Sequence, residues 1–254
     1  MRKIIVYILT SDPYNISIDN ICDVFDTDDF IIKILTLRNT LQSETDRLSN
    51  KDINELERVN DALLRCQKKY YKHYCIVMKD TSICTIDKKC IYDILKDTIN
   101  LNDWDITYLC RWLDVCESNE PIYSNNKYNN NIIQTYSPHG IQCLMFSPIG
   151  RKRILGAEYL RNDEYFTPIN IPLDTKLNKH IENGNLVALG YSTNLFMYDS
   201  SRIKYESDIL KFSLCRIESP KYTIGTYSIY YYITIIGFSA LLLIIYHQMR
   251  KKSI

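Results

Sequence analysis

The sequence lacks a dominant charge. Its 31 Lys and Arg stand against 30 Asp and Glu, a formal net charge of +1, and the two signs are interspersed. Phosphate-backbone binding needs a concentrated basic surface, so the electrostatic argument for nucleic acid is removed and no nucleic-acid partner is expected. Catalytic signatures are missing as well. No Ser-His-Asp order, glycine-rich phosphate loop or HExxH occurs, which leaves hydrolase, kinase and metalloprotease readings without support. None of the nine cysteines forms a CxxC pair, the tight spacing of structural zinc sites. Several, such as Cys75, Cys110 and Cys143, fall inside apolar runs, where a thiol serves as a small hydrophobe, and reduced thiols are the simpler reading. Glycine is scarce beside abundant Ile, Asn, Lys and Tyr, a bias that coding-DNA composition can produce and that carries no functional inference.

What is present is enough for one full-sized domain with a large core plus an accessory segment: 254 residues, of which 46% are hydrophobic. The chain is organised around residues 74–116. Cys75-Ile76-Val77-Met78 and Ile106-Thr107-Tyr108-Leu109 have the length and the β-branched or aromatic content of buried strands, with a helix-length amphipathic segment between them. That pattern predicts a β-α-β unit. The first strand ends in Lys79-Asp80-Thr81-Ser82, putting a carboxylate and two hydroxyls at the carboxyl end of a strand, where open α/β sheets hold their ligands. Asp, Thr and Ser in that position serve equally as turn and N-cap residues.

Along the rest of the chain, residues 3–9 read as an opening strand stopped by Thr10-Ser11-Asp12-Pro13. The basic amino terminus resembles a signal peptide, but the apolar run is short and no small-residue cleavage site follows, so a buried first strand is the better reading. Residues 19–26 supply a short helix or turn and 30–37 a further apolar run. Segment 40–70 carries Ile53, Leu56, Val59, Leu63 and Leu64 at helical spacing and predicts one amphipathic helix starting near Asn50, its charges a solvated face. Residues 118–131 are polar and nonperiodic, the pattern of a long loop. Residues 140–148 read as a strand, 150–160 and 173–182 as helices, the second capped by Asn183-Gly184, and 186–189 as a last strand. Strands alternating with helices predict an α/β sheet domain over residues 1–219.

The carboxyl-terminal segment, 220–254, differs from everything before it. From Ile224 to Tyr246 there are 23 residues without a charge, enough to cross a hydrocarbon core of about 30 Å as a helix. Tyr227, Tyr230, Tyr231 and Tyr232 lie towards one end and Tyr246 at the other, where amphipathic rings favour the headgroups, and Arg250-Lys251-Lys252 follow. These features predict a single membrane anchor with the lipid bilayer as partner. The basic tail favours a cytosolic carboxyl terminus, whereas moving residues 1–220 across a membrane without an amino-terminal signal is difficult. A tail-anchored arrangement with the globular domain in the cytosol is expected, consistent with reduced cysteines. Asn15-Ile16-Ser17 is a glycosylation sequon that matters only in the opposite orientation.

The order of these pieces resembles a known family. Asp103-Trp104-Asp105-Ile106, Gly140-Ile141-Gln142-Cys143-Leu144, Pro172-Leu173-Asp174 and the run from Asn194 to Asp199 continuing to Ser207-Asp208-Ile209 are similar to successive motifs of glycosyltransferase family 25. That is the lipooligosaccharide and procollagen galactosyltransferase group, and the likeness is to its divergent members in large DNA viruses. It covers roughly residues 70–212, and the order of the motifs carries it rather than any single one. The resemblance implies a GT-A-like fold with a mixed, mostly parallel sheet and flanking helices. It also implies a nucleotide-sugar donor, a protein or glycan acceptor, and an acidic cluster that binds Mn²⁺ or Mg²⁺ against the diphosphate. Such cations take hard oxygen ligands and neutralise charge on the departing group.

At the matching positions this chain reads Lys79-Asp80-Thr81, with one carboxylate and a cation beside it. Lys79 lowers the attraction for a metal but can contact phosphate as a point charge. Lys79, Asp80, Ser82 and His139 are the candidate donor-binding residues, and Asp80 with Asp199 the candidate metal ligands. Asp174 is the candidate base for the acceptor hydroxyl. His139, after the long loop, can reach substrate from a flexible position or simply be exposed, and Asp174 can equally act on a helix macrodipole. The chain departs from the family at its acidic cluster, so a transferase-fold domain without turnover, serving as a membrane-tethered binding or structural component of a virus, is the alternative. For topology, a cytosolic domain predicts digestion by protease added outside intact membranes; a shielded domain overturns it.

Overall fold

The structure is a computed structural model that describes residues 3–36, 50–116, 119–124, 128, 130–166, 171–199 and 214–215. Chain contacts separate a unit of residues 1–216 from one of residues 217–254, and every described residue belongs to the first. The expected anchor at 224–246, the basic tail and Ser207-Asp208-Ile209 lie outside the described residues. Among those that are described, no helix is long and apolar enough to cross a membrane.

The chain builds a mixed α/β domain. Its strands are β1 (Ile4–Thr10), β2 (Phe30–Thr36), β3 (Tyr74–Lys79), β4 (Ser82–Cys84), β5 (Ile106–Trp112), β6 (Glu120–Tyr123), β7 (Ile132–Thr135), β8 (His139–Phe146), β9 (Ala188–Tyr191) and β10 (Phe196–Tyr198). Its helices are α1 (Ile16–Val24), α2 (Asn50–Lys69), α3 (Lys88–Asn100), α4 (Pro148–Ile154) and α5 (Leu173–Glu182). Eight strands form one sheet in the order β2-β1-β3-β8-β5-β9-β7-β6, and β4 pairs with β10 in a small second sheet. In the large sheet β1, β2, β3, β5, β6 and β9 share one direction and β7 and β8 oppose it, so the sheet is mostly parallel in strand direction.

The core follows the two-residue period of a strand covered on both faces. In β1, Ile4, Val6 and Ile8 join the apolar cluster that includes α1 and α3. Ile5, Tyr7 and Leu9 join the cluster on the other face, with α2, α4 and α5. The helices start where local chemistry satisfies their first amides: Asn15 accepts from the Ser17 N–H, Asp87 from Lys89 and Ser147 from Gly150. In α3, Ile91, Ile94, Leu95 and Thr98 are buried at helical spacing.

Buried polar groups lock these layers together. Asp105, just before β5, is fully buried. Its Oδ1 lies 2.5 Å from Arg153 Nη1 on α4, and its Oδ2 accepts the Val187 N–H at 2.8 Å, at the entrance to β9. Arg151, also on α4, is buried and donates to the carbonyls of His73 and Tyr71, both at 2.8 Å, satisfying chain just past the end of α2. Gly150 lets α4 sit this close: a Cβ there would lie 2.0 Å from the Asp105 carbonyl oxygen.

Several expectations change. The strands of the expected β-α-β unit, β3 and β5, are parallel but not adjacent, because β8 inserts antiparallel between them. The polar stretch 118–131 is not all loop: β6 pairs antiparallel with β7. All four β6 residues are exposed, so no alternation of burial marked it. The helix expected at 150–160 spans only α4, and Gly156 at φ +66° follows its end. The last strand expected at 186–189 is β9, two residues later, and β10 follows it.

The expectation of reduced thiols is corrected for one pair. Cys116 and Cys215 form a disulfide across a sequence separation of 99, while the other seven cysteines are free. The sequence hid this pairing because the partners meet only when the chain returns beside β5: the Asp114 N–H donates to Leu214 O at 3.1 Å. A buried ion pair of Arg111 with Asp114 adjoins the bond.

Two predictions follow from this packing. Gly150→Ala is expected to destabilise the domain by at least about 2 kcal/mol through forced backbone displacement, seen as a lower urea midpoint. Peptide mapping without reductant should recover Cys116 linked to Cys215, and Cys116→Ser should lower stability by about 2–4 kcal/mol, the usual effect of closing a long loop.

Candidate functional site

Parallel strands end at the same edge, and here β1 and β3 run side by side in register from Ile4 with Tyr74 to Leu9 with Lys79. The Asp80 N–H continues that ladder by donating to Leu9 O at 3.1 Å. Asp80 therefore stands at a fixed height at the strand tips. Its Oδ2 lies 2.7 Å from the Thr10 hydroxyl and 3.3 Å from Asn15 Nδ2, a donor. The Thr10 hydroxyl is also 2.7 Å from Asp12 O, so one proton serves two acceptors. Among the described residues no hydrogen bond to Asp80 Oδ1 accompanies these.

Two cavities meet at this carboxylate. The first, about 290 Å³, is lined by Asp80, Thr81, Ser82 and Asp199 together with Ser17 and Ile21 of α1. The second, about 250 Å³, is lined by Thr10, Arg58, Lys79, Asp80, Gln142 and Tyr198. Their common wall is Asp80 and Thr81. Gln142 of β8 fastens the floor, its Nε2 donating to Thr81 Oγ1 at 2.6 Å and to Ser82 Oγ at 3.1 Å. Opposite, the Asp199 N–H donates to Thr81 O at 2.9 Å, and Tyr198 pairs with Ser82 across the β4-β10 sheet.

The electrostatics are two-sided. Asp80 and Asp199 supply negative charge to the first cavity, Arg58 and Lys79 positive charge to the second. Partial burial pulls the Arg58 guanidinium below its ordinary value while the Asp80 carboxylate opposes that shift; an arginine so placed stays charged. Burial raises the Cys84 thiol on the wall, and Cys110, close enough to feel the Lys79 charge, is pushed up by burial to about 12. Both thiols stay protonated at neutral pH.

The expected site residues divide into two groups. Lys79, Asp80, Ser82 and Asp199 all line the paired cavities. His139 and Asp174 line neither. Asp174, in the first turn of α5, accepts the Gly140 N–H at 2.8 Å, and its Oδ2 is 3.4 Å from His139 Nδ1. Asn178 Nδ2 donates to His139 Nε2 at 2.8 Å, an arrangement that puts the ring proton on Nδ1, towards Asp174. His139 is thus held between β8 and α5 rather than carried on a flexible loop, and Asp174 is engaged in positioning β8. Sequence reasoning missed Arg58, read as part of a solvated face, along with Thr10, Asn15 and Gln142 as partners of the strand tip. Gln142 had one signal, its place in the family-like strand motif; the others had none.

The described residues do not by themselves make a site for a resident divalent cation. Among the described residues no group of three or more His, Cys, Asp or Glu side chains can hold one, and Asp80 already spends one oxygen on Thr10 and Asn15.

Fold and geometry define a mixed α/β protein with two adjoining cavities at the strand tips. No protein-family model matches the chain, and no curated protein matches it. A solved structure titled "Crystal Structure of A197 from STIV" is similar over 77% of this chain and 83% of that chain, with 8% identity and a TM-score of 0.40.

Asp174→Ala should lower stability by about 1–2 kcal/mol by orphaning the Gly140 amide. Thermal denaturation measures this, and ligand binding in the Asp80 cleft should be unchanged.

Proposed function

We propose that the chain is a membrane-anchored, glycosyltransferase-like protein whose Asp80 cleft takes a nucleotide sugar, with a GT-A-like arrangement of its sheet and helices. One observation carries this reading: two cavities of opposite charge share Asp80 at the carboxyl ends of parallel strands. The sequence resemblance to glycosyltransferase family 25 leads independently to the same strand tip.

The second cavity suits the diphosphate. Arg58 offers a planar fork of donors and Lys79 a point charge, which together neutralise phosphate oxygens without a resident metal. The first cavity, with Ser82, Asp80 and Asp199, presents hydroxyl and carboxylate groups of the kind that hold sugar hydroxyls. Removal of water from such a site strengthens each of these contacts. Asp174 is not used as the acceptor base in this reading, since it is committed to Gly140 and His139. The anchor rests on the 23 uncharged residues at 224–246. The Cys116–Cys215 bond, of a kind that persists in oxidising surroundings, removes the thiol argument for a cytosolic domain.

A second reading is favoured by a specific feature: Asp80 Oδ2, Thr81 and Ser82 are already satisfied by Thr10, Asn15 and Gln142. A cleft so self-contained suits a transferase-fold domain that binds without turnover, a membrane-tethered structural component.

Calorimetry of the full chain in detergent against a panel of UDP-sugars separates the two. The transferase reading expects saturable binding that weakens by about tenfold in Arg58→Ala or Lys79→Ala, the loss of one charge-assisted contact. Any gain from added Mn²⁺ should vanish in Asp80→Asn. No heat with any nucleotide sugar, with or without Mn²⁺, would leave the structural reading.

A further inference from the structure

A third cavity, larger than the other two at about 400 Å³, opens between the edge strand β2, β1 and the last turns of α2. Its volume is within the range of small-molecule sites, about 300–1,000 Å³. The walls are apolar: Tyr7 and Leu35 are buried on the sheet, and Tyr70 closes the end beyond α2. The rim is cationic, formed by Lys33, Arg65, Lys68 and Lys69. Arg65 is matched by Asp61, its Nε 2.9 Å from both carboxylate oxygens. Lys69 lies 5.7 Å from the Tyr70 ring. Among the described residues no acid pairs with Lys33, Lys68 or Lys69.

Lys33 is the informative residue. Ile31, Lys33 and Leu35 alternate onto one face of β2, and Ile31 and Leu35 pack with the apolar cluster that includes α2. A lysine interrupts this row where the period calls for a hydrophobe. Its charge adds to those from α2 across the opening, at the mouth of a pocket whose walls offer little to a polar ligand.

We propose that this groove binds an anionic amphiphile: one hydrocarbon chain lying along Tyr7, Leu35 and Tyr70, with a carboxylate or phosphate head between Lys33 and Lys68. A hydrophilic anion alone would leave the apolar walls wet, and a neutral hydrocarbon would leave the lysines without a counter-charge. Only a ligand with both parts matches both surfaces. The site is separate from the Asp80 cleft and independent of the transferase reading.

Photolabelling tests this on the full chain in bilayer nanodiscs with a diazirine analogue of palmitate, followed by peptide mapping. Label is expected in peptides covering 29–36 and 65–72, displaced by oleate at about a tenfold lower concentration than by oleyl alcohol, the contribution of one charge-assisted contact. Inorganic phosphate should not displace it. Lys33→Gln with Lys68→Gln, both at exposed positions where folding is not at stake, should raise the oleate requirement by about tenfold or more. Label confined to 224–246 or absent from the groove would overturn the proposal, as would equal displacement by the alcohol or by phosphate, or no change in the double variant.

Discussion

The antiparallel insertion of β8 between β3 and β5 is the constraint on which the rest depends. Leu144 of β8 pairs with Val77 on one side and Tyr108 on the other, so a single strand supplies the hydrogen bonds for two neighbours that would otherwise meet. With strands about 4.8 Å apart, β3 and β5 are held roughly 10 Å from each other, and α3 must span that width. Because β8 runs against its neighbours, its first residues lie at the edge where theirs end. That reversal brings Gln142 within 2.6 Å of Thr81 and sets the floor of the cleft.

The cleft and the groove solve different electrostatic problems on one scaffold. At the strand tips, Asp80 is held by a hydroxyl and an amide while Arg58 and Lys79 stand on the neighbouring wall, so charge of both signs is available within one site. The protonated thiols nearby leave hydroxyls, carboxylates, an amide and two cations as its chemistry. Along α2, Arg58 lines the cleft and Arg65 the groove, seven residues and about 10 Å apart on a helix. One face of that helix therefore lines two separate cavities.

How much was legible in the sequence varied with the kind of signal. Strands buried on both faces, such as β1 and β3, and helices with regular apolar spacing, such as α2 and α5, announce themselves because burial imposes a period. β6 carries no such mark, being held by backbone pairing at an exposed edge. The strand-tip residues Lys79, Asp80 and Ser82 were legible because they directly follow a readable strand. Arg58 was not, since nothing within α2 separates a charge turned to a cleft from one turned to water. His139 and Asp174, read as candidate chemistry, meet each other between β8 and α5 and line neither strand-tip cavity.

The sequence by itself determined the α/β alternation, the tip of β3 and the uncharged run at the carboxyl terminus, since each depends on residues close together in the chain. Tertiary structure alone decided the place of β8, the Cys116–Cys215 pairing and the gathering of Arg58, Asp80 and Gln142. Those depend on which distant segments pack together, and that choice is made by the free energy of the whole core rather than by any local pattern.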